Sequence, residues 1–175
     1  DKVTIENGGG LSGLLDGGDG NNTLIVDNHP ITIGEDGKII IGDGGSGGSG
    51  GSYKNFQNIK AKDDNSGNQT NKITLNSNSN NVSITGPNSG TVDGTAFTNI
   101  SDIDLAAGDD NATISSTGSL SGTLEGGEGK DDLFLNNADN VINVDQTGTG
   151  NLKNIKSKSK DYKVTSASIE ADRLI

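Results

Sequence analysis

Short apolar triplets, rather than helical faces, carry the hydrophobic pattern of this chain. They recur at Val3–Ile5, Leu24–Val26, Ile31–Ile33, Ile73–Leu75, Val82–Ile84, Ala112–Ile114 and Leu133–Leu135. Alternation with a period of two marks a half-buried strand. The triplets return at a nearly constant distance. Val3 to Leu24, Val82 to Ile103, Ile103 to Leu124 and Leu120 to Val141 are each 21 residues; Leu11 to Ile31, Leu135 to Ile155 and Val144 to Val164 are 20. Such a return distance is one coil of a solenoid, so the 175 residues hold about eight coils. No segment shows helical spacing with caps. The pattern therefore predicts an all-β chain, a right-handed parallel β-helix (β-solenoid) with coils of 20–21 residues, forming one domain over residues 1–175.

A longer repeat contains the shorter one. DKVTIENGGGLSGLLDGGDGNNTLIVDN reappears as DNATISSTGSLSGTLEGGEGKDDLFLNN, with Val3, Ile5, Leu11 and Leu24 matching Ala112, Ile114, Leu120 and Leu133 at an offset of 109 residues. A third, partial copy runs through VSITGPNSGTVDGTAFTNISDID. An F-x-N-I element recurs at Phe56–Ile59 and Phe97–Ile100, and with Leu for Phe at Leu152–Ile155. Its first and last residues are expected to point inward. Its Asn either stacks coil on coil as an amide ladder or is a plain turn residue. Between triplets lie Gly-, Asn- and Asp-rich clusters, residue types that tolerate the positive φ of sharp corners. Pro30 and Pro87 fall at margins, where a missing N–H costs little. Gly44–Ser52 (GGSGGSGGS) stands apart. Copy one spans 45 residues from Leu11 to Phe56, copy two 32 from Leu120 to Leu152, and the surplus falls on this stretch. It reads as a surface-loop insertion at residues 44–52, natural or engineered.

Composition agrees with a thin core. The hydrophobic fraction is 28%, with five aromatic residues (Phe 3, Tyr 2) and 28 glycines, against roughly 45–50% apolar in ordinary domains. Such a chain is either disordered or wound around one axis, and the kept register excludes disorder. The net charge of −11 argues against a nucleic-acid partner. The one basic run, Lys153 to Lys163, alternates with Ser and Asn and reads as a solvated loop. No stretch approaches the length of a membrane-spanning helix, so the chain is not expected to be membrane-embedded. With no signal peptide before Asp1, it reads as a mature or excised segment. The absence of Cys excludes disulfides and thiolate metal sites and is compatible with export.

Three kinds of chemistry are possible on such a scaffold. Gly17–Ile25 (GGDGNNTLI) and Gly126–Phe134 (GGEGKDDLF) resemble the GGxGxDxUx nonapeptide of calcium-binding RTX repeats, the second at every specified position and the first with Asn22 in place of Asp. That resemblance implies calcium ligands among Asp19, Asn22, Asp109, Asp110, Glu128 and Asp131. The two motifs stand 109 residues apart instead of in tandem, but Asp109, Asp110 and Asp131 are about one coil apart, so neighbouring loops are placed to meet. Hard oxygen donors suit Ca²⁺; the competing reading is a Gly-Asp corner with no metal. Catalysis on an acidic polysaccharide needs carboxylates along a cleft-forming face, whereas Asp63–Asp64, Asp109–Asp110 and Asp131–Asp132 sit in Gly-rich corners and His29 has no histidine partner. No enzyme is expected. An ice-binding face needs an unbroken threonine column, and one coil beyond Thr4 and Thr32 stand Ile25 and Tyr53.

The triplets, the Gly-Asp corners and the F-x-N-I elements together resemble the β-helical stalks of large Gram-negative surface proteins: filamentous haemagglutinin-like exoproteins, autotransporter passengers and RTX-type adhesins. The resemblance implies an extracellular, bacterial cell-surface role in adhesion, with a host-cell or matrix surface as partner. Those stalks are far longer than this chain. Solenoids need polar caps, and neither Asp1 nor Arg173-Leu174-Ile175 reads as one. The alternatives are a piece of a longer stalk or a subunit whose copies stack into a filament or matrix fibre.

Overall fold

In a computed structural model, residues 1–34, 36–42, 51–62 and 71–135 are described in full, together with the backbone of residues 169–170 and 173–174. These residues form strands and turns without a helix, so none is available to cross a membrane as one. The strands make two mixed sheets. In spatial order the first holds β1 (Lys2–Ile5), β3 (Thr23–Val26), β7 (Asn58–Ala61), β11 (Thr95–Thr98), β10 (Ser89–Val92), β9 (Asn81–Gly86), β13 (Asn111–Ile114), β15 (Asp132–Leu135) and β17 (Arg173–Leu174). The second holds β16 (Ile169–Glu170), β14 (Leu124–Glu125), β12 (Asp102–Asp104), β8 (Lys72–Thr74), β4 (Ile31–Ile33), β5 (Ile39–Ile41), β6 (Gly51–Lys54) and β2 (Leu14–Asp16).

The 21-residue spacing is realised as parallel register in three places. Val3 pairs with Leu24, Ile103 with Leu124, and Ala112 with Leu133. Elsewhere the expected spacing fails. Val82 pairs with Ala112 and Val92 rather than with Ile103, and Ile31 pairs with Ile73 and Ile41 rather than with Leu11. The cause is a pair of antiparallel meanders, β4–β5–β6 and β9–β10–β11, each placing two extra strands in one sheet. Two of their turns, β4–β5 and β10–β11, carry an Asp-Gly pair. Asp93 and Gly94 both take positive φ (46° and 86°) between β10 and β11, as an Asp-Gly type I′ turn requires. Between β4 and β5, the Gly34 nitrogen donates to the Lys38 carbonyl at 2.8 Å, with Gly37 at φ 71°. The segment read as a third partial copy is this second meander.

The Gly/Ser stretch also needs a new boundary. Gly51 and Ser52 belong to β6, and a Cβ on Gly51 would stand 2.8 Å from both the Cβ and carbonyl oxygen of Leu11. Both β5 and β6 lie within the Leu11–Phe56 span of copy one. Residues 43–50 lie outside the described residues, as do Asp63–Asp64, Leu152–Ile155, the basic run and the triplet positions at 141, 144 and 164.

Inward residues of both sheets form one cluster, including Leu24, Ile59, Phe97, Ile84 and Leu133 from the first and Tyr53, Ile73, Ile103 and Leu124 from the second. Register threads them into columns: Leu24 pairs with Ile59, Ile59 with Phe97, and Phe97 with Gly90, whose missing Cβ would meet the Ser83 carbonyl oxygen at 2.0 Å. As expected, Phe56, Ile59, Phe97 and Ile100 are all buried. The Asn between them is not equivalent in the two elements. Asn58 is a strand residue whose amide donates to Asn21 Oδ1 at 2.5 Å, whereas Asn99 sits at φ 61° and donates to the Ala61 carbonyl. Those two residues form no common amide ladder.

Candidate functional site

A polar ladder does exist, one corner away. The residue immediately before β1, β3, β7, β9, β13 and β15 is Asp1, Asn22, Gln57, Asn80, Asp110 or Asp131, always with a side-chain oxygen. At a corner the backbone leaves regular strand pairing, and a short side-chain oxygen can stand in for the missing carbonyl. The Asp1 nitrogen donates to Asn22 Oδ1 at 2.7 Å, and the Asn22 N–H to Gln57 Oε1 at 2.8 Å. In the other run, the Asn80 N–H donates to Asp110 Oδ1 at 2.6 Å, and the Asp110 N–H to Asp131 Oδ1 at 3.1 Å. The β10–β11 excursion separates the two runs. Asn22, Asn80, Asp110 and Asp131 are the buried polar side chains among the described residues.

The amides at this corner are well used. Asn22 Nδ2 donates to the Gly18 and Asn55 carbonyls, and Asn80 Nδ2 to those of Asn76 and Asn78. Asp110 has no amide to give. Its Oδ1 takes both Asn80 donors, while its buried Oδ2 lacks a hydrogen-bond partner. Burial raises the Asp110 pKa, the Asn80 donors oppose the rise, and the Asp93 and Asp109 carboxylates add to it.

Charge pairs stack along the outer faces. Lys62 Nζ bridges Glu6 Oε2 at 2.6 Å and Asp27 Oδ2 at 2.9 Å, which pushes its pKa up to about 12. Lys72 bridges Asp104 and Glu125 from a neighbouring strand. Asp16 pairs with Lys54 in direct cross-strand register and also accepts from Gly18 N and Asn55 Nδ2, so its pKa falls to about 2. These carboxylates neutralise neighbouring cations rather than converge on a cleft.

The six residues expected to hold calcium separate into two kinds. Asn22, Asp110 and Asp131 are buried ladder members, whereas Asp19 and Asp109 are exposed bend residues and Glu128 is an exposed residue bridged to Ala107. The loops around 109 and 130 do meet: the Lys130 N–H donates to Asp109 Oδ1 at 3.0 Å, and the Gly108 N–H to the Glu128 carbonyl at 2.8 Å. Calcium takes six to eight oxygens or so. Here Asp109 Oδ1, Asp110 Oδ1 and Asp131 Oδ1 already accept backbone N–H groups, and no group of three or more acidic or histidine side chains is arranged for a metal among the described residues.

His29 Nε2 lies 3.1 Å from the Glu6 carbonyl oxygen, beside a cavity of about 240 Å³ lined by Val26, Asn28, Pro30, Lys72 and Thr74 among others. Sequence reasoning overlooked Gln57 and Asn80. The signal was present: each ladder residue stands two positions before the first inward apolar residue of its strand. In comparisons with family models, curated proteins and solved structures, the chain matches none.

Proposed function

We propose that this chain is a non-catalytic structural segment of a bacterial extracellular surface protein, a right-handed β-solenoid rod that presents its faces to a host-cell or matrix surface. The observation that carries the reading is layer-on-layer repetition: chain order alternates between the two sheets, three parallel ladders keep the 21-residue register, and the corner column bonds one layer to the next. Such a stack grows along one axis and spends its polar groups on its own cohesion. Its cross-strand ion pairs make the outer faces cohesive as well as soluble.

The test uses beads coated with the folded protein on epithelial monolayers, against beads carrying the heat-unfolded chain. Retention of the folded beads alone supports the reading. Equal retention of both, or release of reducing ends from a panel of acidic polysaccharides, sinks it.

A further inference from the structure

We propose that Asn81 is an acceptor for an N-linked sugar, carried on the outer face of the first sheet. Asn-x-Ser/Thr, the triplet that N-glycosylating enzymes read, starts at Asn21, Asn68, Asn81, Asn99 and Asn111. Asn68 lies outside the described residues. The triplet alone ranks the other four equally. Their surroundings separate them.

Transfer needs an amide nitrogen that a bulky donor can reach. Asn99 is half-buried and held at φ 61°, and its Nδ2 already donates to the Ala61 carbonyl at 3.2 Å. Asn21 is exposed, but its Oδ1 accepts the Asn58 amide, which fixes the plane of its own amide. Asn111 is half-buried. Asn81 is exposed, and its side chain has no hydrogen-bond partner among the described residues.

The backbone at Asn81 is nonetheless fixed. Its N–H donates to Asp93 Oδ1 at 2.8 Å, and its carbonyl accepts the Asp93 N–H at 3.0 Å. β9 lies between β10 and β13, so described strands flank it on both sides. Alternation along β9 buries Val82 at 3% exposure and turns Ser83 to the same face as Asn81. Register then surrounds the triplet with small side chains: Ser83 stands beside Thr91 and Thr113, and Asn81 beside Asn111. None of these four neighbours is charged. This face has room for a sugar ring, unlike the ion-paired face around Lys72.

In the transfer, Asn81 Nδ2 attacks C1 of a nucleotide-activated sugar. A C–N bond forms and the bond from C1 to the diphosphate oxygen breaks. The nucleoside diphosphate leaves with that electron pair, and one Nδ2 proton passes to a base of the transferase. Oxidation states do not change.

The inference rests on an outer face open to solvent and not on adhesion, so it fails separately from the bead assay. The folded chain is incubated with UDP-glucose and a soluble N-glycosyltransferase that reads Asn-x-Ser/Thr, and intact-mass and peptide mass spectrometry follow the products. The wild-type chain is expected to gain a first hexose at Asn81. Asn81→Gln is expected to lose that addition with an unchanged circular dichroism spectrum, and Asn99→Gln to keep it. Ser83→Ala removes the hydroxyl but keeps the acceptor amide, and is expected to lose the addition independently if Asn81→Gln does not fold. Heat-unfolded wild type is expected to gain hexose at Asn99 as well, because unfolding frees that amide. A folded wild type that gains no hexose overturns the proposal, as does a first addition at another asparagine or undiminished addition to folded Asn81→Gln.

Discussion

The β1–β3 pair and the β13–β15 pair are the same unit in two settings. Both are parallel four-residue ladders with a 21-residue return, and both place a buried leucine, Leu24 or Leu133, after a buried corner acceptor, Asn22 or Asp131. Even the corner bond repeats, from Asp1 to Asn22 at 2.7 Å and from Asp110 to Asp131 at 3.1 Å. They differ in what lies on the far side. β13 carries β9, and Ala112 and Ile114 are 3% and 6% exposed; among the described residues β1 has no second neighbouring strand, and Val3 and Ile5 are only partly buried. The repeat thus encodes a pair and its internal bonds, while the neighbouring strand decides how much each residue contributes to stability.

Matched substitutions at positions 109 residues apart turn that contrast into measurements. The largest difference is expected from proline. Asn111 and Ser115 donate to the Asn80 and Ile84 carbonyls of the β9 side, so Thr113, two residues from each and of the same parity, also faces β9. Thr113→Pro breaks a central ladder and is expected to destabilise by upwards of about 3 kcal/mol. Thr4→Pro changes the equivalent residue on an edge and is expected to stay within about 0.5 kcal/mol. Urea unfolding followed by circular dichroism gives both numbers, and equal losses would mean that β1 is as fully paired as β13.

Truncating the inward isoleucines comes next. Ile114→Ala empties a site enclosed by Ile84 and Leu135 in register, at an expected cost of about 2–3 kcal/mol. Ile5→Ala removes a side chain that still meets water, at about 1 kcal/mol. Urea unfolding reads both losses, and equal values would mean that Ile5 is as enclosed as Ile114.

How much of this was legible in the sequence follows from which interactions are local. Triplets announce strands because alternation is a property of a few neighbouring residues, and Val3–Leu24 and Ile103–Leu124 are true pairs. The meanders were missed although Asp93-Gly94 is a strong local hairpin signal, because the solenoid period was applied across it. Once two strands are inserted, Val82 and Ile103 keep their 21-residue spacing by coincidence and fall into different sheets. Asn22, Asp110 and Asp131 stood out as polar residues in Gly-rich corners, but residue type alone does not distinguish a metal ligand from a backbone acceptor. That distinction depends on which N–H groups the next layer brings, and Gln57 and Asn80 enter the column only through such contacts.

The subtlest expected difference concerns Asp110 and its counterpart Asp1. Asn22 and Asn80 hold equivalent corners with amides that satisfy nearby carbonyls, whereas Asp110 buries a carboxylate with an orphaned Oδ2. Its folded-state pKa is raised, chiefly by burial, so the folded state holds the proton more tightly than the unfolded chain. The stability this contributes is fully present below the unfolded-state pKa and is lost as pH rises through the raised value. Asp110→Asn supplies an amide for the carbonyl of Ala106, four residues back as in Asn22 and Asn80. It is expected to stabilise the neutral-pH protein by about 1–2 kcal/mol, with the gain shrinking as pH falls through the Asp110 titration. Asp1→Asn, on an exposed residue, is expected to change little. Melting curves from pH 3 to 8 or so decide it: a gain that is absent, or that grows toward acid, would show that Asp110 is not a strained carboxylate. A calcium ion held by Asp110 would leave a different trace, a wild-type melting temperature that rises with added Ca²⁺ and a variant that no longer responds.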